Sequence, residues 1–192
     1  GKGVKNKFPY ENKNFIDYAT SEDRSDFLDI WLSAHCKFFL SNSTGIAMMP
    51  ILFNLPIINT NEYPGLRSHS WIPKSIHVPR NVIDHQGKYL NVKQQIEKNL
   101  HWLNSSQFTY KGLQIVPIEN SSEEILKTVI EMENQIKKGF IVSDLNIKFW
   151  KKTKTIWDYY TLQNKLKNKP FEHSDQFTFD HFHKIDGIKT II

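Results

Sequence analysis

The sequence predicts an α/β fold built on a parallel sheet, and three observations predict it. Strand-like and helix-like stretches alternate between Phe15 and Asn59, the pattern that right-handed crossovers turn into a parallel sheet. The block from Ile46 to Phe53 is apolar on every side, which reads as a helix buried all round and not one lying on a surface. Between two apolar runs sits a polar knot, Ser41-Asn42-Ser43-Thr44-Gly45, at the place where a strand gives way to that helix.

Each element can be justified in order. Phe15 to Ala19 reads as a short strand, with a turn at Thr20-Ser21-Glu22-Asp23. Ser25 can cap a helix whose apolar face is Phe27, Leu28, Trp31 and Leu32. Lys37 to Leu40 and Leu55 to Asn59 read as strands on either side of the knot and the apolar block, and are expected to be parallel neighbours. Asn91 to Leu103 places Val92, Ile96, Leu100 and Leu103 on one helical face, and Leu113 to Ile118 reads as a further strand. Ser121 and Glu124 form a capping box, Ile125, Val129, Met132 and Ile136 follow at helical spacing, and Lys137-Lys138-Gly139 supplies a stop. No internal repeat is visible. The chain opens on Gly1-Lys2-Gly3 with no strand before the loop-like Asn6 to Asn14, so the protein is expected to continue upstream.

Composition narrows the function classes. With 192 residues, 39% of them hydrophobic, the chain can bury one sizeable core. No run is long enough to span a membrane, and no charged start leads into a short apolar stretch with a cleavage site. Cys36 is the single cysteine, so no internal disulfide can form, and a reducing, cytoplasmic setting fits. The formal net charge is +5, yet only Arg24, Arg67 and Arg80 among its 25 basic residues are arginine. A base-reading surface favours the forked guanidinium, so nucleic acid is not expected as a partner.

The knot falls between the C-terminal end of a strand and the helix that follows, where open α/β sheets bind ligands. Hydroxyl groups, a glycine that lets a ligand approach the backbone, and unpaired helix N–H groups together suit a phosphate or diphosphate. The simpler alternative is that Ser43 or Thr44 only caps the helix.

A resemblance favours the ligand. Ser43-Thr44-Gly45 followed by Pro56 is similar to the C-terminal domain of glycosyltransferases with the GT-B fold, such as the heptosyltransferases. The stretch "IDYATSEDRSDFLDIWLSAHCKFFLSNSTGIAMMPILFNLPIINTN", and more loosely "GLQIVPIENSSEEILKTVIEM", resembles a group of bacterial glycosyltransferases found among surface-polysaccharide genes. The likeness covers roughly residues 15 to 136. It implies a three-layer Rossmann-like parallel sheet flanked by helices, the C-terminal half of a GT-B fold. Residues 1–140 would be the nucleotide-sugar-binding domain and residues 141–192 a C-terminal helical extension and tail.

The resemblance also implies roles. Ser43, Thr44 and Gly45 would hold the donor diphosphate, and Tyr18, Ala19 and Thr20 the base or ribose. The loop after Asn59 could reach the same crevice, with Asn61 and Glu62 on the donor sugar and Arg67 or Lys74 neutralising the diphosphate. A solvated surface loop is the equal alternative there. Backbone donors stabilise a leaving diphosphate without a metal, so the resemblance implies a metal-independent transfer with no cofactor beyond the nucleotide-sugar substrate. The acceptor would be a cell-surface glycan or a lipid-linked glycan, and a missing N-terminal domain of the same protein would supply the general base. Many members of the wider fold grip the ribose with a Glu inside the helix. This chain has Ala47, Met48, Met49 and Pro50 there, leaving ribose recognition unassigned. Pro50 also opposes a long helix, so a regular one is expected to begin near Met49.

Other features carry less. His173, Asp175, Asp180, His181 and His183 fit no strong metal signature, and no metal site is expected. Cys36 beside a strand reads as structural, and Ser43 lacks the Gly-x-Ser-x-Gly elbow of a hydrolase. From Lys148 to Lys169, lysines interleave with Phe149, Trp150, Ile156, Trp157, Tyr159 and Tyr160. Such a helix could pack on the upstream domain through Trp150 and Trp157, or rest on anionic lipid as a peripheral contact at the inner membrane. The rival readings are therefore a non-catalytic nucleotide- or polyanion-binding module and a membrane-surface interaction domain.

Overall fold

A computed structural model describes residues 4–42, 44–62, 74–98, 100, 112–141, 144, 147–148, 151 and 182–183. Its centre is a parallel sheet in the order β1 (Phe39–Ser41), β2 (Ile57–Glu62), β3 (Ser75–Pro79), with the two-residue β6 (Phe182–His183) beside β3. The pairs Phe39↔Ile57, Ile57↔Ser75 and Ser75↔Phe182 all run parallel. The two strands expected on either side of the knot are thus parallel neighbours, and the chain is α/β. A second, two-stranded sheet pairs β4 (Asn81–Asp84) antiparallel with β5 (Ile115–Ile118). The predicted strand ending at Ile118 therefore exists, but pairs outside the parallel sheet.

Alternation along the strands puts helices on both faces of the parallel sheet. On one face, Ile58, Ile76 and Val78 pack with Met132 of α4 (Ser122–Lys138), joined by Phe38, Val129, Ile136 and Phe140. On the other, Ile57 packs with Ala47 and, at the margin, Phe39 and Ile51. Those neighbours come from a 3-10 turn, η2 (Gly45–Ala47), that runs into the short helix α2 (Met48–Leu52). A third cluster, Val82, Leu90, Leu100 and Ile115, forms a separate core beside the antiparallel pair. Val92 opens α3 (Val92–Glu97) and is buried, but the helix ends before Leu100, which is buried beyond it, so the predicted helix from Asn91 to Leu103 is shorter than expected; Leu103 lies outside the described residues.

The caps formed as the local sequence dictates. Ser25 Oγ accepts from Leu28 N at the start of α1 (Asp26–His35). In α4 the capping box is complete: Glu124 N donates to Ser121 Oγ at 3.2 Å, and Ser121 N donates to Glu124 Oε2 at 2.7 Å. Gly139 ends that helix at φ 88°, a conformation that glycine adopts without strain.

Three expectations need correction. Phe15 to Ala19 is not a strand; Tyr18–Thr20 forms a 3-10 turn, η1. The Tyr18 hydroxyl donates to Ser25 O at 3.0 Å and accepts from Ser25 N at 3.1 Å, which bends the chain into the cap of α1. Helix α1 does not bury its expected face either: Phe27 is 71% and Trp31 44% exposed, while Ser33 is its buried residue. Nor is the Ile46–Phe53 block buried all round, since Leu52 is 73% exposed and only Ala47 and Pro50 are buried. Pro50 sits in the first turn of α2, where its missing N–H costs nothing.

Candidate functional site: a polar row at the strand ends

Parallel strands place register partners side by side on one face. Ser41 pairs with Asn59, and Asn59 with His77, so these three residues form a row across β1, β2 and β3. They share the face of Ile57 and Ala47, and the row lies level with the end of β1, where the knot begins. All three are buried, with Ser41 8% and Asn59 2% exposed.

His77 is held on both ring nitrogens. Nδ1 lies 2.9 Å from Glu62 Oε1, so its N–H donates to the carboxylate oxygen. Nε2, 2.8 Å from Ser75 Oγ, is then the acceptor for that hydroxyl. Carboxylate, imidazole and hydroxyl thus line up in the order of a nucleophilic relay. The Ser75 oxygen is already committed to His77 inside the core, however, so the chain of bonds acts as a buried lock between β2 and β3.

An irregularity of β2 lies directly before Glu62. Asn59 opposes His77 and Glu62 opposes Pro79, so β2 spends one more residue than β3 over that interval. Asn61 absorbs the extra residue at φ 52°, a left-handed conformation that Asn tolerates better than most residues. Asn120, directly before the cap of α4, holds it there. Asn61 N donates to Asn120 Oδ1 and Asn120 N donates to Asn61 Oδ1, each at 2.6 Å, and Asn120 Nδ2 donates to Pro79 O at 3.2 Å.

Above the row, the knot is open. Thr44 is exposed and its side chain makes no capping bond, so the capping alternative is not realised at this residue. Among the described residues, a Cβ on Gly45 would meet nothing within 4 Å. The first backbone N–H groups of a helical turn have no partner within it, and here they follow directly on Thr44. No family model, curated protein or solved structure matches the chain at a significant level.

The predicted site residues fall into distinct groups. Thr44 and Gly45 lie beyond the end of β1, beside the polar row; Ser43 and Arg67 lie outside the described residues. Asn61 and Glu62 are at the end of β2, but their side chains are turned to Asn120 and His77. Lys74 enters β3 at φ 55°, and its carbonyl accepts from Ile57 N, so its backbone stands at the opposite end of the strands from the knot. Tyr18 and Thr20 commit their hydroxyls to Ser25 and Asp17, and Ala19 lies between them in η1.

Sequence reasoning missed Asn59, Ser75 and His77. The signal was the alternation in Ser75-Ile76-His77-Val78, which puts two apolar residues on one face and two polar ones on the other. Burial raises the Cys36 thiol above its ordinary range, in keeping with a structural role. Among the described residues no His, Cys, Asp and Glu cluster that could hold a metal ion occurs, and no helix is long and apolar enough to cross a membrane. Trp150, Trp157 and His173 to His181 lie outside the described residues.

Proposed function

We propose that this chain is the donor-binding half of a GT-B-type glycosyltransferase, with a Rossmann-like sheet whose crevice beside Thr44 and Gly45 takes the diphosphate of a nucleotide sugar. The sugar would pass to a cell-surface or lipid-linked glycan acceptor, with the base for that step supplied by an acceptor-facing domain. The observation that carries this reading is the open knot, with Thr44 exposed and uncapped and free space around Gly45, at the C-terminal end of a parallel strand.

The chemistry follows from those groups. The Thr44 hydroxyl and the backbone N–H groups that begin η2 donate to the diphosphate oxygens and stabilise the charge that develops on the leaving group. Because η2 and α2 together span only Gly45 to Leu52, individual hydrogen bonds do most of this work and the helix dipole contributes little. The lock of Glu62, His77 and Ser75 fastens β3 to β2, the strand that pairs with the one leading into the knot.

Calorimetric and thermal-shift titration with inorganic pyrophosphate, nucleoside diphosphates and nucleotide sugars tests the proposal. Stabilisation by one nucleoside diphosphate above the others is expected. A chain that none of these compounds stabilises at millimolar concentration does not hold a nucleotide sugar.

A further inference from the structure

Two atoms of the polar row stand apart from the lock. Ser41 Oγ and Asn59 Oδ1 are buried and have no hydrogen-bond partner among the described residues. Their neighbours do not serve them. Both ring nitrogens of His77 are engaged with Glu62 and Ser75, and the Thr60 hydroxyl donates to the Ser41 carbonyl at 3.2 Å, not to its side chain. Nearly all buried polar atoms in folded proteins are paired, so two unpaired ones side by side, at the strand ends beside an open loop, call for a partner that the described residues do not supply.

The chemistry of the two atoms selects that partner. Asn59 Oδ1 only accepts, so a phosphate oxygen would be repelled by it, whereas Ser41 Oγ both donates and accepts. One hydroxyl group satisfies the pair, donating to Asn59 Oδ1 and accepting from Ser41 Oγ. We infer that Ser41 and Asn59 read a neutral hydroxyl of the ligand whose diphosphate lies at Thr44 and Gly45, an inference that rests on the nucleotide-sugar reading of the crevice. The pair thereby sets specificity, while the knot sets affinity for charge. Both atoms are buried, so this hydroxyl belongs to the innermost part of the ligand. Ribose and the transferred sugar both offer one.

The experiment compares the native chain with Asn59→Ala and Ser41→Ala by calorimetric titration of four probes: inorganic pyrophosphate, a ribonucleoside diphosphate, its 2′,3′-dideoxy counterpart and the corresponding nucleotide sugar. Both variants should keep the native affinity for pyrophosphate and lose on the order of tenfold toward the ligand that carries the hydroxyl. If ribose carries it, the dideoxy compound binds the native chain more weakly by the same factor and binds the variants no worse. If the sugar carries it, the loss appears with the nucleotide sugar alone. Unchanged affinity for every probe, with only the melting temperature lowered, would make the pair an internal structural contact and overturn the inference. A native chain that binds pyrophosphate but shows no such loss in the variants refutes the hydroxyl reader and leaves the crevice standing. One that binds none of the four removes both. Where Asn59→Ala does not fold, Ser41→Ala, which deletes a single oxygen, decides.

Discussion

Asn61 and Asn120 exchange side-chain-to-backbone hydrogen bonds in both directions, each 2.6 Å long, and so clamp the irregular end of β2 to the start of α4. Asn120→Ala removes the acceptor for Asn61 N and the donor to Pro79 O, and should destabilise the protein by about 1–3 kcal/mol. Asn61→Gly keeps the left-handed conformation and should cost less, whereas Asn61→Val forces a β-branched residue into it and should cost most. Urea unfolding of the three variants gives the order directly.

The lock on His77 makes a second prediction. His77→Ala leaves Glu62 buried beside a cavity and should lose about 3 kcal/mol. Glu62→Gln retains an oxygen that can accept from Nδ1 and should lose about 1 kcal/mol. Equal losses in the two variants, measured by chemical denaturation, would show that the bond to Nδ1 is not what holds the pair.

At the knot, Gly45→Val should leave the fold intact, because its Cβ would meet no atom of the described residues within 4 Å and φ is not in the left-handed region. The branched side chain should instead fill the approach of the diphosphate and abolish nucleoside-diphosphate binding. Thr44→Ala, or Ser43→Ala, removes one hydroxyl and leaves the backbone donors, a loss of about 0.5–1.5 kcal/mol in affinity. Titration of a folded Gly45→Val chain with unchanged affinity would refute the phosphate cradle.

Burial ranks the hydrophobic residues differently from their size. Met132 is 0% exposed against Ile58 and Ile76, and Met132→Ala should cost about 2–5 kcal/mol. Phe27, a larger side chain, is 71% exposed, and Phe27→Ser should shift stability by no more than about 0.5 kcal/mol. Thermal melts of the two variants should differ plainly.

Acid should weaken the fold through three carboxylates. Hydrogen bonds from Phe8 N and the Thr20 hydroxyl hold Asp17 below its ordinary value, one from Lys88 N does the same for Asp84, and Lys37 does so for Glu133. Each folded-state value lies below the unfolded one, so the stabilisation is complete above the ordinary range. It fades as pH falls through the lowered values. The ordinary values are 3.8 for Asp and 4.5 for Glu, so melting temperature should be flat above pH about 5 and fall below about 4. Asp17→Asn should make that fall shallower.

What the sequence made legible was local. The capping box of α4 and the cap of α1 each lie within four residues, and the strand partners of the knot are flagged by apolar runs on both sides. What it hid depends on tertiary choice. Helix α1 carries Phe27, Leu28, Ile30, Trp31 and Leu32, so apolar spacing points several ways, and the side that packs inward is the one with Ser33. The strand β3 was not recognised: two of its five residues are polar, and the partners that make Ser75 and His77 acceptable in a core come from a neighbouring strand and from each other. Glu62 read equally well as a ligand of the donor sugar or as part of a solvated loop, because only the register of β2 on β3 brings it to an imidazole.

The extra residue in β2 has a meaning that its neighbours disguise. A strand one residue shorter would also carry Glu62 to the face of His77, since two steps along a regular strand return a side chain to the same side. Delivery of the carboxylate is therefore not what the longer strand achieves. Its effect is to turn the backbone of Asn61 outward to a helix on the opposite side of the sheet, so that the two layers share one fastening. Fraying at the first turn of α4 and loosening of the strand ends beneath the knot become a single event.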